Sequence, residues 1–154
     1  MKKQLKLGAD ARKKLVDGID TLADAVVSTL GPNGRNFVYE DDFQVIRSTK
    51  DGVTVAKEIT KVEDPYENLG VNMLKQAAIK TADNAGDGTT TSTLLARELV
   101  KNGVQRLNDG ANAVEIKRGI DTAVELVLDG LEGNAENITS ESQLEQIATI
   151  SANN

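Results

Sequence analysis

The segment Ala85-Gly86-Asp87-Gly88-Thr89-Thr90-Thr91-Ser92-Thr93 concentrates the chemistry of this 154-residue chain. Two glycines flank a carboxylate, and a run of hydroxyls opens an expected helix. A helix N-terminus presents amide N–H groups without helical partners, together with a partial positive charge. Glycines let a phosphate approach the backbone, and hydroxyls add donors. Asp87 is placed to hold a magnesium ion that bridges the phosphates. Threonine is a poor helix former, so the run carries a local cost that anion binding would offset. An Asp cap on a Thr-rich helix start accounts for the same spacing without a ligand. The common phosphate-loop signature, Gly-x-x-x-x-Gly-Lys-Ser/Thr, is absent.

Two further segments share this polar, glycine-bearing character. Thr29-Leu30-Gly31-Pro32 is a helix end running into a tight turn, and Thr49-Lys50-Asp51-Gly52 puts a cation, a carboxylate and a glycine in one loop. Each alone is ordinary turn chemistry. Together with the 85–93 segment they suggest three short loops converging on one polyphosphate. Asp51 would then orient or deprotonate an attacking water.

Composition narrows the chemistry. The chain has no Cys and no His, which removes disulfides, thiolate zinc sites and histidine acid–base work. A metal held here must be held by oxygen, which points to magnesium-type chemistry. Phe37, Tyr39, Phe43 and Tyr66 are the whole aromatic set, so the core must rest on aliphatic side chains. The net charge of −6 is unevenly spread: residues 1–30 carry a net +2, and no Lys or Arg follows Arg118. A general nucleic-acid binder would be basic, so no nucleic-acid partner is expected. No apolar run approaches the roughly 18 residues of a membrane span. Met1-Lys2-Lys3-Gln4 leads into no apolar signal core, so the expected location is the cytoplasm.

The elements that must position these loops are mostly helices. Leu15, Ile19, Leu22, Val26 and Leu30 form an apolar stripe over residues 8–30, closed by Gly31-Pro32. Gly18, inside that helix, suggests close packing against a neighbouring backbone. Two β-prone runs, 36–40 and 43–47, predict a hairpin around Asp41-Asp42, and Val53-Thr54-Val55 predicts a third extended piece. Asp64-Pro65 opens the next helix, with Leu69, Met73 and Ala77 as its stripe. A helix after Thr91 carries Leu95, Leu99 and Val104. Asn112 and Glu115 have capping-box spacing before a helix with Ile116, Ile120, Val124, Val127 and Leu131 on one face. Asp121, Glu125, Asp129, Glu132 and Glu136 stripe the same helix with acid, either a solvated face or one that lacks a basic neighbour. Residues 133–139 read as a boundary, and Ser140 with Gln143 opens a last helix.

Five motifs in order now identify a relative. They are Gly31-Pro32-x-Gly34-Arg35-Asn36, Thr49-Lys50-Asp51-Gly52-Val53-Thr54-Val55-Ala56-Lys57, Ala85 to Thr91, Ile116-Lys117-Arg118-Gly119-Ile120, and Ile147-Ala148-Thr149-Ile150-Ser151-Ala152-Asn153. From about Leu5 to Asn153 the chain closely resembles the N-terminal part of a group I chaperonin subunit, the GroEL family. The resemblance implies a mainly α fold: the N-terminal half of a multi-helical equatorial domain with a small β-hairpin, residues 1–133. Residues 134–154 would begin the intermediate, hinge domain. It implies binding of ATP with magnesium, usually assisted by potassium. Thr29, Leu30, Gly31 and Pro32 would line the nucleotide site, and Lys50 would serve the phosphates or the monovalent ion. Asp87 would take the magnesium, Gly88, Thr89, Thr90 and Thr91 would cradle the phosphates, and Asp51 matches an acid beside the γ-phosphate. The 36–47 hairpin resembles the stem loop that pairs with a neighbouring subunit's terminal strand, near Lys3–Leu7 here.

The implied partners are unfolded client proteins, a co-chaperonin lid and further copies in a homo-oligomeric ring, with no membrane involved. Departures are Asn33 where the family often has Lys, Ala113 where it has Pro, and a divergent stretch between Asp41 and Ser48. The resemblance also implies a complete subunit several times longer, with the apical domain, the hinge acid and the adenine half-site beyond these residues. The isolated chain is therefore expected to hydrolyse ATP negligibly. The alternative expectation is a truncated, non-catalytic assembly module. An unrelated small kinase or nucleotide-binding domain is the third reading, and the missing Walker-type motif and the chaperonin resemblance weigh against it.

Overall fold

The computed structural model describes residues 4–59 and 61–152. The chain divides into two compact units, one ending at Asn108 and one starting at Asp109. Lys3 of the expected terminal strand lies outside the described residues, and residues 4–7 have no regular secondary structure. Asn153 of the last motif also lies outside them. No helix among the described residues is long and apolar enough to cross a membrane.

The first unit begins with helix α1, Gly8–Val27. Gly18, Ile19, Leu22, Ala23 and Val26 form its buried face, as the stripe requires. The helix stops three residues before its expected end. Ser28 Oγ donates to Ala25 O and Thr29 Oγ1 donates to Val26 O, so hydroxyls take up the last carbonyls. Leu30, expected in the stripe, is exposed. Gly31 has a φ of 74°, and its carbonyl accepts the Gly34 N–H at 2.9 Å.

Strands β1 (Phe37–Glu40) and β2 (Ile46–Thr49) form the expected antiparallel hairpin, with Phe37 opposite Thr49 and Glu40 opposite Ile46. The second strand lies about three residues later than its sequence signal. Asp41 causes the shift. Its Oδ1 accepts the N–H groups of Phe43 and Val45, and its Oδ2 accepts from Arg47 Nε at 2.5 Å. These bonds hold residues 41–45 in a wide turn, with Gln44 at a φ of 61°.

Val53-Thr54-Val55 is not a strand. It lies in helix α2, Gly52–Glu58. Asp51 caps this helix, and Gly52, Val55 and Ala56 fall on one helical face that enters the core. Burial of that face overrides the β preference of its branched residues.

Helix α3, Pro65–Ala85, starts as read, with Asp64 as cap and Pro65 in the first turn. Its buried face differs from the expected stripe. Gly70, Val71, Leu74 and Ala78 are buried, while Leu69 and Met73 are exposed. Glycine decides the rotation: the Gly70 α-carbon lies against the Leu15 carbonyl of α1, a fit open only to a residue without a side chain. Helix α4, Thr89–Asn108, shows the same departure. Thr89 and Thr93 are buried, and Ala96 and Val100 pack on the core, whereas Leu95 and Leu99 are exposed. Small residues allow closer helix approach than the leucine stripe would. Asp24–Arg97 at 2.7 Å, Asp20–Lys101 at 3.0 Å and Arg12–Asn108 at 3.3 Å tie α4 antiparallel along α1.

The second unit holds helices α5, Ala113–Asn134, and α6, Glu141–Ser151. Asn112 caps α5 by accepting the Val114 N–H, one residue earlier than the capping-box spacing implies. Ser140 and Gln143 form the full box before α6. Neither helix has a buried residue, so the Val124–Val127–Leu131 stripe of α5 is exposed. Within the acid stripe, Asp121 pairs with Lys117.

Candidate functional site

Helices α2, α3, α5 and α6 each open on a side-chain cap, from Asp51, Asp64, Asn112 and Ser140. The start of α4 has none. Its preceding residue is Gly88, with a φ of 82°, and the first helical bond is Ser92 N–H to Gly88 O at 2.9 Å. The amide N–H groups of Thr89, Thr90 and Thr91 therefore have no protein partner among the described residues. The helix dipole reinforces this local positive potential.

The neighbouring hydroxyls do not close the gap. Ser92 Oγ and Thr93 Oγ1 both donate back to Thr89 O, at 2.9 and 2.8 Å. The Thr90 and Thr91 hydroxyls have no partner among the described residues. Thr89 is buried, Thr90 half-buried and Thr91 exposed. Asp87 is exposed, and its Oδ1 accepts the Gly88 N–H at 2.6 Å. Its Oδ2 has no protein partner among the described residues. Asp87 therefore does not cap α4, the ligand-free alternative for this spacing.

These residues fit a magnesium–phosphate group. Among the described residues, no three carboxylates cluster as a metal cage. Magnesium suits such a place, because it commonly takes one or two carboxylates and fills its remaining positions with phosphate oxygens and water. Asp87 offers the carboxylate, and the α4 amides offer donors for phosphate oxygens.

The second expected loop touches this one. A side-chain carbon on Gly52 would stand 2.2 Å from Thr90 Oγ1 and 3.4 Å from Thr90 N. Asp51, just before Gly52, accepts the Thr54 N–H at 2.9 Å and the Thr54 hydroxyl at 2.5 Å, both on Oδ2. Its own N–H donates to Thr49 Oγ1 at 3.0 Å. One carboxylate oxygen of Asp51 thus orders α2, and Oδ1 remains without a protein partner among the described residues. Lys50 is exposed and forms no ion pair among the described residues.

The helix that leads into the first loop shares the core with α2. Val26 of α1 is buried together with Val55 and Ala56 of α2. Beyond Val26 the chain turns tightly: Thr29 is buried, and a side-chain carbon on Gly34 would stand 2.1 Å from its carbonyl oxygen. Leu30, Gly31 and Pro32 are exposed at this corner. Two contributors escape the sequence reading. Gly52 looks like any turn glycine until α4 is seen beside it. Thr93 looks like another phosphate hydroxyl but is fully buried and bonded to its own helix. The spacing of Thr89 and Thr93, four apart on one face, was the available signal.

The first unit is mainly helical, and the open start of α4 follows a carboxylate whose Oδ2 has no protein partner among the described residues. The family is then set by comparison: the model of the TCP-1/cpn60 chaperonin family matches residues 22–154, and the chain belongs to that family.

Proposed function

We propose that this chain carries the phosphate and magnesium side of the ATP site in a subunit of a ring-shaped, ATP-dependent chaperonin of the group I type. One observation carries the proposal: among the described residues, the Thr89, Thr90 and Thr91 amides at the start of α4 and the Oδ2 of Asp87, two residues before it, have no protein partner. Family membership supports the wider reading of assisted protein folding by a homo-oligomeric ring, with unfolded clients and a co-chaperonin lid as partners. In this reading residues 1–133 belong to the equatorial domain and 134–154 begin the hinge domain. The proposed compartment is the cytoplasm.

The residues divide the work by their geometry. The Thr89, Thr90 and Thr91 amides, with the Thr90 and Thr91 hydroxyls, hold phosphate oxygens in place. Gly88 leaves the approach open, since it presents no side chain. Asp87 Oδ2 holds the magnesium, which when bound neutralises phosphate charge and orients the phosphoryl group. Asp51 Oδ1 would accept a hydrogen bond from a water and orient it, while its Oδ2 stays committed to Thr54. Thr29, Leu30, Gly31 and Pro32 form a neighbouring wall. Lys50, exposed and without an ion pair among the described residues, supplies positive charge toward the phosphates, or its loop serves a potassium ion.

Isothermal titration with Mg·ATP tests the proposal. Binding should weaken when magnesium is chelated and when Asp87 is replaced by Ala. Equal affinity for ATP with and without magnesium, or in Asp87→Ala, would overturn it.

A further inference from the structure

Glycine at position 52 is not explained by backbone conformation. Gly52 is the first residue of α2, and it is not among the positive-φ glycines of the chain. Alanine is a better helix former at such a position. The explanation left is space, and the space belongs to one residue. A side-chain carbon here would meet Thr90 Oγ1 at 2.2 Å, with Thr90 Cβ and Thr90 N each at 3.4 Å.

Thr90 Oγ1 and Thr90 N are the two Thr90 atoms that would face a phosphate. Neither has a protein partner among the described residues, so no hydrogen bond holds them where they are. Packing against the bare Gly52 α-carbon borders both. The other side of that contact is firm, because Asp51 is bonded to Thr54 N–H and Oγ1, and its own N–H to Thr49 Oγ1.

We propose that Gly52 is a positioning residue for the phosphate site: its missing side chain lets the Thr90 hydroxyl and amide keep the aim that anion binding needs. The inference rests on the phosphate reading of α4 and adds a residue from a different helix to it. It also makes the distance between Asp51 and the phosphate cradle a packed distance rather than a loose loop separation.

A double-variant cycle tests it, with Mg·ATP as the probe, isothermal titration for affinity and urea unfolding for stability. In the chain with Thr90, Gly52→Ala should weaken Mg·ATP binding about tenfold or more, the scale of a lost hydrogen bond to a charged group. In a Thr90→Ala background, adding Gly52→Ala should change affinity less than about twofold, because the clashing oxygen is gone. A purely structural role would change the unfolding midpoint without this background dependence in affinity. Unchanged binding in Gly52→Ala, or an equal loss in both backgrounds, would overturn the inference while leaving the phosphate site standing. A parent chain that does not bind Mg·ATP would overturn the phosphate reading itself, and this inference with it. If Gly52→Ala alone does not fold, the cycle still decides. Rescue of folding by Thr90→Ala supports the contact, and a double variant that stays unfolded overturns it.

Discussion

Gly18 of α1 and Gly70 of α3 each lie against a backbone carbonyl of the opposite helix. A side-chain carbon would stand 1.9 Å from Glu67 O at Gly18 and 2.1 Å from Leu15 O at Gly70. Backbone cannot step aside as a side-chain tip can. Gly18→Ala or Gly70→Ala should therefore destabilise the first unit by about 1–3 kcal/mol, the scale of overpacking. Gly130, in α5, has nothing within 4 Å of an added side-chain carbon. Gly130→Ala should raise stability by up to about 1 kcal/mol through helix propensity. Urea unfolding of the three variants measures both signs, and a stabilised Gly18→Ala chain would refute the packing argument.

Asp51 and Asp87 should separate stability from binding. Asp51 caps α2 through Thr54, so Asp51→Ala should cost about 1 kcal/mol of stability, and Asp51→Asn should keep most of it. Asp87 is exposed and orders no helix beyond its own turn. Asp87→Ala should leave stability within about 0.5 kcal/mol of the parent. It should nevertheless weaken magnesium-nucleotide binding more than Asp51→Ala does. Titration calorimetry showing the reverse order would overturn the assignment of the metal to Asp87.

The entry to α3 should be acid-sensitive. The Lys14 ammonium, 2.7 Å from Asp64, holds that carboxyl below its ordinary value of 3.8, and the Tyr66 and Glu67 amides help. A lowered folded-state value means the stabilisation is complete above the unfolded value and disappears as pH falls through the folded one. Lys14 is raised in turn, by its bonds to Asp64 and Glu67, so its share is lost only at strongly alkaline pH. Unfolding midpoints measured from pH 6 down to pH 2 should fall less steeply in Asp64→Asn than in the parent. Asn keeps the cap and removes the charge, so parallel curves would count against the ion pair.

The hairpin turn should open under the same conditions. Arg47 is the main cause of the lowered Asp41 carboxyl, followed by the Val45 amide, with Phe43 adding less. Protonating Asp41 as pH falls through its lowered value weakens all three bonds. Amide exchange at Phe43 and Val45 should accelerate in Asp41→Ala relative to the parent, after correction for the intrinsic rate at each pH. Unchanged protection at both amides would show that the turn holds without Asp41.

The helix starts at Asp64-Pro65 and Ser140 were legible in the residues, and so was the stop near Gly31, because caps and breakers act over a few neighbouring positions. The missing His and Cys leave only oxygen ligands for any metal. Five ordered motifs carried the chaperonin resemblance, and the family match over residues 22–154 agrees with it.

Other features depended on partners distant in the chain. Leu69-Met73 and Leu95-Leu99 satisfy helical periodicity, yet they are exposed. Periodicity finds a stripe, but only the facing helix decides which of two adjacent stripes is buried. Here the stripes that carry glycine, threonine or alanine beside Val71, Leu74 and Val100 won, because Gly18 and Gly70 allow α1 and α3 to approach closely. Val53-Thr54-Val55 became helix for a related reason: Asp51 capped it and the core took Val55 and Ala56. Residues within one turn of each other set the local elements of this protein. The contact of Gly52 with Thr90, 38 positions apart, exists only because two helix starts pack together, and no local pattern encodes that meeting.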